Sequence, residues 1–194
     1  MRLVVGLQNP ESVYAGTRHN IGAEVITLLE QRFQTRLKRG PRRIRCRVGT
    51  ATIRDRKVLL ALPKTSMNLS GPPVRGLLEY HRIKPEDLLV IHDDIDLPFG
   101  RMRLRFGQGH GGHNGVRSIV NSLGATNFWR LKLGLGRPPG RMDPARFVLS
   151  PFARQELSEV RRLIEDAAEV VGLFLTDPER ATEQAGRRRP LEGV

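Results

Sequence analysis

Histidine, carboxylate and carboxamide recur at the ends of apolar runs in this chain, and that mixture of residue types can move a proton and hold an acyl group. His19 stands between Thr17-Arg18 and Asn20. His92 opens the acidic stretch Asp93-Asp94-Ile95-Asp96, while His110 and His113 lie within Gly107-Gln108-Gly109-His110-Gly111-Gly112-His113-Asn114-Gly115. A neutral imidazole paired with a carboxylate takes a proton from water near pH 7, and the carboxylate fixes its tautomer. The carboxamides of Asn9, Asn68 and Asn114 add donors for a developing oxyanion and acceptors for a peptide N–H. That set suits hydrolysis of an ester with a peptide-like acyl group.

Other chemistries fit less well. No G-x-S-x-G elbow is present, and Cys46, alternating with Ile44 and Val48, reads as a core residue of a strand. His92, Asp93, Asp94, Asp96, His110 and His113 offer metal ligands, but neither an H-E-x-x-H pattern nor a cysteine set accompanies them. The expectation is therefore catalysis without metal or cofactor. Gly107, Gly109 and Gly112 satisfy G-x-G-x-x-G, yet no Asp or Glu occurs from Leu97 to Met142 to take a ribose hydroxyl. That acid-free span carries Arg101, Arg103, Arg105, Arg117, Arg130, Lys132, Arg137 and Arg141, which suits a polyanion.

Elements of regular structure must bring these groups together. Arg2 to Leu7 reads as a strand buried on both faces, and Asn9 falls just past its end. Ile21, Val25, Leu28 and Leu29 have helical spacing, with Asn20 as the N-cap and His19 exposed on the loop side. Arg42 to Arg54 and Val58 to Leu62 predict a hairpin, followed by the polar cluster around Asn68 and a helix from Pro73 to His81. Leu88 to Ile91 is a buried strand that delivers Asp93 to its end. Arg101, Arg103 and Arg105 share one strand face, as do Arg130 and Lys132 on the next strand, so two cationic faces flank the glycine loop. Arg137-Pro138-Pro139-Gly140 predicts an irregular flap, and Leu157 to Val171 an amphipathic helix covering the sheet. The fold class is α/β, a single-domain three-layer fold with a mixed, largely parallel central sheet flanked by helices. Residues 1–186 form that domain and 187–194 a basic, disordered tail.

The chain carries 33 Lys and Arg against 20 Asp and Glu, a formal charge of +13. Such a field attracts nucleic acid or an anionic membrane. No apolar run reaches the ~20 residues that span a bilayer, and no signal-peptide pattern opens the sequence, so a cytoplasmic location is expected.

Asn9-Pro10, Tyr14, Thr17-Arg18-His19-Asn20 with Gly22, Lys64-Thr65 with Met67-Asn68-Leu69-Ser70-Gly71, His92-Asp93, Asp96-Leu97-Pro98 with Gly100, and Gly109 to Gly115 together resemble the bacterial peptidyl-tRNA hydrolase family. The resemblance runs from Leu3 to about Ala181 and implies a monomeric, metal-independent cytoplasmic enzyme. Its reaction would be cleavage of the ester between a peptide and the 3′-terminal ribose of tRNA. It further implies that His19 is the general base and Asp93 its carboxylate partner, with Asn9 beside them. Tyr14, Ser66, Asn68, His113 and Asn114 would bind substrate, and Arg103, Arg105 and Lys132 would hold tRNA phosphate. A non-enzymatic RNA-binding relative, of the kind recruited to splicing, is the alternative. Two positions depart from the family pattern: Glu11 stands where Gly is common, and Ser66 where an aromatic residue is common.

Overall fold

A computed structural model describes residues 1–191. In chain order its elements are β1 (Arg2–Gly6), α1 (Ile21–Arg32), β2 (Lys38–Arg39), β3 (Cys46–Ile53), β4 (Arg56–Pro63), α2 (Gly71–His81), β5 (Leu88–Asp94), β6 (Met102–Phe106), α3 (Asn114–Leu123), β7 (Trp129–Gly134), α4 (Pro144–Val148), α5 (Leu157–Phe174) and α6 (Pro178–Arg187). One sheet runs in the order β2-β3-β4-β1-β5-β7-β6. Its centre, β4-β1-β5-β7, is parallel, and β2, β3 and β6 add antiparallel edges.

Central strands need apolar side chains on both faces, and β1 supplies them. Leu3 and Val5 pack with Val74 and Leu77 of α2 and with Val116 and Ile119 of α3. Val4 points the other way, into the layer that α1 and α5 build from Ile26, Leu29, Leu163 and Val171. The result is the expected helix-sheet-helix sandwich. Arg54 and Asp55 turn the predicted hairpin with φ of 50° and 60°, the left-handed pair that matches strand twist. Helix α2 begins at Gly71, ahead of the predicted Pro73, because proline is tolerated in a first turn where no N–H is required.

Helix α1 approaches the sheet unusually closely. A Cβ on Gly22 would lie 2.2 Å from the Ile91 carbonyl oxygen, and one on Gly6 would lie 2.4 Å from the Gly22 carbonyl oxygen. Backbone thus meets backbone where α1 crosses β1 and β5. This contact sits three residues after His19 and two before Asp93.

The C-terminal segment departs from the disordered tail expected of it. Arg187 ends α6, whose Ala181 and Ala185 are buried in the layer that holds Met102 and Leu104 of β6. Arg188 is itself buried, pairing with Glu159 at 2.6 Å and Asp166 at 2.8 Å, and the Leu191 N–H donates to Glu159. Charge composition alone reads as solvated; two acids on α5 overturn that reading. Residues 192–194 of the expected tail lie outside the described residues. Among the described residues no helix is long and apolar enough to cross a membrane.

Candidate active site

The parallel strands β1 and β5 end side by side, and there the chain opens a cleft of about 530 Å³. Asp93, on the last turn of β5 toward the cleft, is 2% exposed. His19 directs Nδ1 at its carboxylate, 2.9 and 3.0 Å from the two oxygens. His113 directs Nε2 at Oδ1, 2.9 Å away. Burial alone would raise the Asp93 carboxyl, but His113 and His19, which face it with ring nitrogens, hold it well below the usual carboxylate range. It is therefore an ionised acceptor, and both facing nitrogens must donate.

Backbone contacts settle the tautomers. His113 caps α3: its Nδ1 accepts from the N–H groups of Gly115 at 3.1 Å and Val116 at 3.3 Å. The ring is neutral in that arrangement, with its proton on Nε2. His19 has its proton on Nδ1, so its Nε2 lone pair is left for the cleft that the ring lines. This differs from the exposed histidine expected at a helix start; the ring is buried and anchored. His92 is also neutral. Burial first, then His113 and Arg130, lower it well below its ordinary value. Its Nδ1 donates to the Asp93 carbonyl, and the ring stacks edge-on against His113 at 4.8 Å.

Asn20 occupies the N-cap position of α1 as expected, but its side chain makes no capping hydrogen bond to the helix. Its Oδ1 accepts from the Asn9 N–H at 2.8 Å, and its Nδ2 donates to the Asn9 and Tyr14 carbonyls. The Asn9 Oδ1 accepts from the Met67 N–H at 2.8 Å. Because that oxygen faces a backbone donor, the Nδ2 donor of Asn9 is the end left for the cleft, which Asn9 lines. Asn68 and Asn114 stand at the exposed rim.

His19, Asp93 and His113 could in principle share a cation, their ligand atoms lying within 4.8 Å of one another. To do so both rings would have to surrender the N–H groups they direct at Asp93. Of the other metal candidates, Asp94 is engaged by Lys132 at 2.9 Å, and the His110 Nδ1 accepts from Gly112 N–H.

The sequence matches the family model described as peptidyl-tRNA hydrolase over residues 3–191. A peptidyl-tRNA hydrolase of Mycobacterium ulcerans is 48% identical over 173 residues, covering 89% of this chain and 90% of the relative. One from Frankia alni is 46% identical, covering 90% and 88%. The chain belongs to the peptidyl-tRNA hydrolase family. In three dimensions it is similar to the crystal structure of peptidyl-tRNA hydrolase from Acinetobacter baumannii, with a TM-score of 0.92 and 35% identity over 98% of this chain and 97% of that one.

Within this family framework, the fold brings together Asn9, His19, Asn68, Asp93, His113 and Asn114, all of which line the cleft. Tyr14 and Ser66 are half-buried beside it and outside its wall; Tyr14 contributes its carbonyl to the Asn20 clamp. Lys132 lines the cleft but is ion-paired with Asp94. Arg105 is exposed, and Arg103 reaches over the β6 edge to the carbonyls of Met102 and Gly186. Arg130 corrects the picture of two open cationic faces: at 1% exposure it lies in the interior, where burial lowers its guanidinium from the ordinary value and nearby Asp94 partly restores it. An apolar wall escaped sequence reading. Val148 and Leu149, at the end of α4, close one side of the cleft. Arg18 holds that wall down through Ser150, Pro151 and Glu156, with its guanidinium over Phe147 at 4.5 Å and Phe152 at 5.0 Å. The signal was the neighbour of His19: an arginine among buried residues needs a distant acid.

Proposed function

We propose that this protein hydrolyses peptidyl-tRNA, with His19 as the general base that removes a proton from water as it attacks the ester carbonyl. The single observation that carries this reading is the pairing of His19 Nδ1 with the buried Asp93 carboxylate. The Nδ1–H of His19 is fixed on an ionised Asp93, so Nε2 meets the cleft as an acceptor, and the imidazolium formed in the transition state rests against the carboxylate. Asp93 is shared with His113, which donates to Oδ1 and keeps the carboxylate aimed.

The Nδ2 of Asn9 donates to the acyl oxygen as negative charge grows on it, while Asn68 and Asn114 receive peptide groups at the rim. The apolar wall of Val148 and Leu149 takes the nonpolar part of the acyl chain, a role for which Ser66, small, polar and outside the cleft wall, is unsuited; Tyr14 supports Asn9 through the Asn20 clamp. Arg103, Arg105 and Lys132 bind phosphate near the tRNA end, Lys132 exchanging Asp94 for it. The enzyme acts as a cytoplasmic monomer and needs no metal.

The test is release of an N-blocked aminoacyl group from tRNA by the purified protein in excess EDTA, beside the unblocked aminoacyl-tRNA. Cleavage of the blocked ester alone supports the reaction, the substrate class and metal independence. Tight tRNA binding without cleavage would move the chain to a binding role.

A further inference from the structure

A second concentration of positive charge lies away from the cleft, where the end of α6 meets the β6 edge. Its anchor is Arg188. Removing a guanidinium from water is costly unless acids receive it, and Glu159 and Asp166 do so at 2.6 and 2.8 Å, joined by the Gly100 carbonyl. Burying the middle residue of Arg187-Arg188-Arg189 leaves its two neighbours exposed on a fixed segment. Arg103 ties that segment to β6 through the Gly186 carbonyl at 3.1 Å.

Among the described residues, arginines outnumber acids on the surface so formed. A hollow of about 420 Å³ between α5 and α6 is lined by Arg162, Arg187, Arg188 and Arg189, with Gln184 and Asp166. Asp166, the only acid in that wall among the described residues, is already engaged by Arg188. The Nη2 of Arg188 is buried without a partner among the described residues. Arg187 meets Glu183 at 3.3 Å, but both side chains are largely exposed, and such a pair contributes little. The bonds of Arg189 within the described residues all run from Nη1, to the last carbonyls of α6. Partial burial, then the charges of Arg189 and Arg103, lower the Arg101 guanidinium from its ordinary value, so these three arginines share one field.

We infer that Arg187 and Arg189, with Arg162 and Arg101, form a phosphodiester-binding site for the double-helical stem of an RNA substrate, separate from the cleft that takes the RNA end. The inference rests on the proposed function for the kind of RNA. Arg101, just before β6, and Arg103 and Arg105 on it alternate over about 13 Å at a strand's ~3.3 Å rise, and Arg103, in register with Lys132 and bonded to Gly186, links the cleft-side cations to this surface. One stem can lie along that line.

The experiment compares binding of deacylated tRNA and of a single-stranded oligonucleotide carrying only the tRNA 3′-terminal sequence, each titrated against salt. The full chain, the Arg187→Ala/Arg189→Ala variant and the charge-keeping Arg187→Lys/Arg189→Lys variant are used. For the alanine variant the affinity for tRNA falls on the order of tenfold and the salt slope by about two. The oligonucleotide binds as before, and the lysine variant recovers the slope. Equal tRNA affinity and slope in parent and alanine variant, absence of binding by both included, overturns the inference, as does an equal loss on the oligonucleotide. Hydrolysis by the parent is read separately. If it fails while the alanine variant still loses tRNA affinity, the stem site stands and the hydrolase reading falls.

Discussion

Gly22→Ala tests whether the placement of His19 depends on the close crossing of α1 over the sheet. The added methyl would sit 2.2 Å from the Ile91 carbonyl oxygen and 2.8 Å from its carbon, both backbone atoms that cannot rotate away. Reaching even 3.0 Å requires the helix start to retreat by about 0.8 Å. His19 precedes this point by less than one turn, so the same retreat stretches its 2.9 Å bond to Asp93 beyond hydrogen-bond range. A displacement near 1 Å at a reacting group costs about 10²-fold in kcat. The stability change is smaller than overpacking alone suggests. Strain of about 1–3 kcal/mol is offset by the ~0.5–1 kcal/mol that alanine contributes over glycine inside a helix. The signature is therefore a kcat loss that exceeds the loss of folding free energy, read from hydrolysis of N-blocked aminoacyl-tRNA beside thermal unfolding. Gly172→Ala is the control: its methyl would approach nothing nearer than Arg54 Nε at 3.2 Å, on a flexible side chain, with Arg54 Cδ and Ile53 Cγ2 at an ordinary 3.7 Å, and kcat stays at the parent value. Parent-like kcat in Gly22→Ala refutes the reasoning, because His19 and Asp93 would then find each other without this contact.

Three further outcomes follow from the site. His19→Ala retains tRNA binding and loses on the order of 10²- to 10⁴-fold in kcat; turnover within a few-fold of the parent would remove His19 from the mechanism. Asp93→Asn costs a similar factor, since the amide carries no charge and its NH2 meets the His19 N–H donor-to-donor where Oδ2 now accepts. It also changes acid stability. The folded carboxyl is held below its ordinary value, so its contribution is complete above about pH 4 and declines as pH falls toward the held-down value; unfolding curves of parent and variant that stay parallel below pH 4 would contradict this. His92 is a base lowered well below its ordinary value. The unfolded chain takes up its proton below about pH 6.5 while the folded chain resists, so stability falls with pH by up to about 1.4 kcal/mol per unit. His92→Phe flattens that dependence, and an unchanged slope in urea titrations between pH 6.5 and 5 would exclude His92 as its source.

What the sequence made legible follows from how far each cause reaches along the chain. The continuous apolar runs of β1 and β5 identify strands buried on both faces, and their ends necessarily collect Asn9 and Asp93. The glycine loop before α3 likewise places His113 and Asn114 at a helix start. These are local causes. Asn20 misled because its side chain has two uses of similar chemistry, capping its own helix or clamping the Asn9 backbone, and only the fold decides between them. His19 read as exposed for the same reason, since the Gly22 contact that buries it is made with Ile91, far away in sequence. The arginines show the limit most sharply. Arg130, Arg188 and Arg105 are the same residue type in similarly basic surroundings, yet one is buried in the sheet layer, one is paired with α5 and one is exposed. A net charge of +13 therefore overstates the surface available to RNA. Among the described residues, Arg188, the middle residue of Arg187-Arg188-Arg189, takes Glu159 and Asp166, which leaves Arg189 without an acid and Arg187 with only an exposed contact to Glu183.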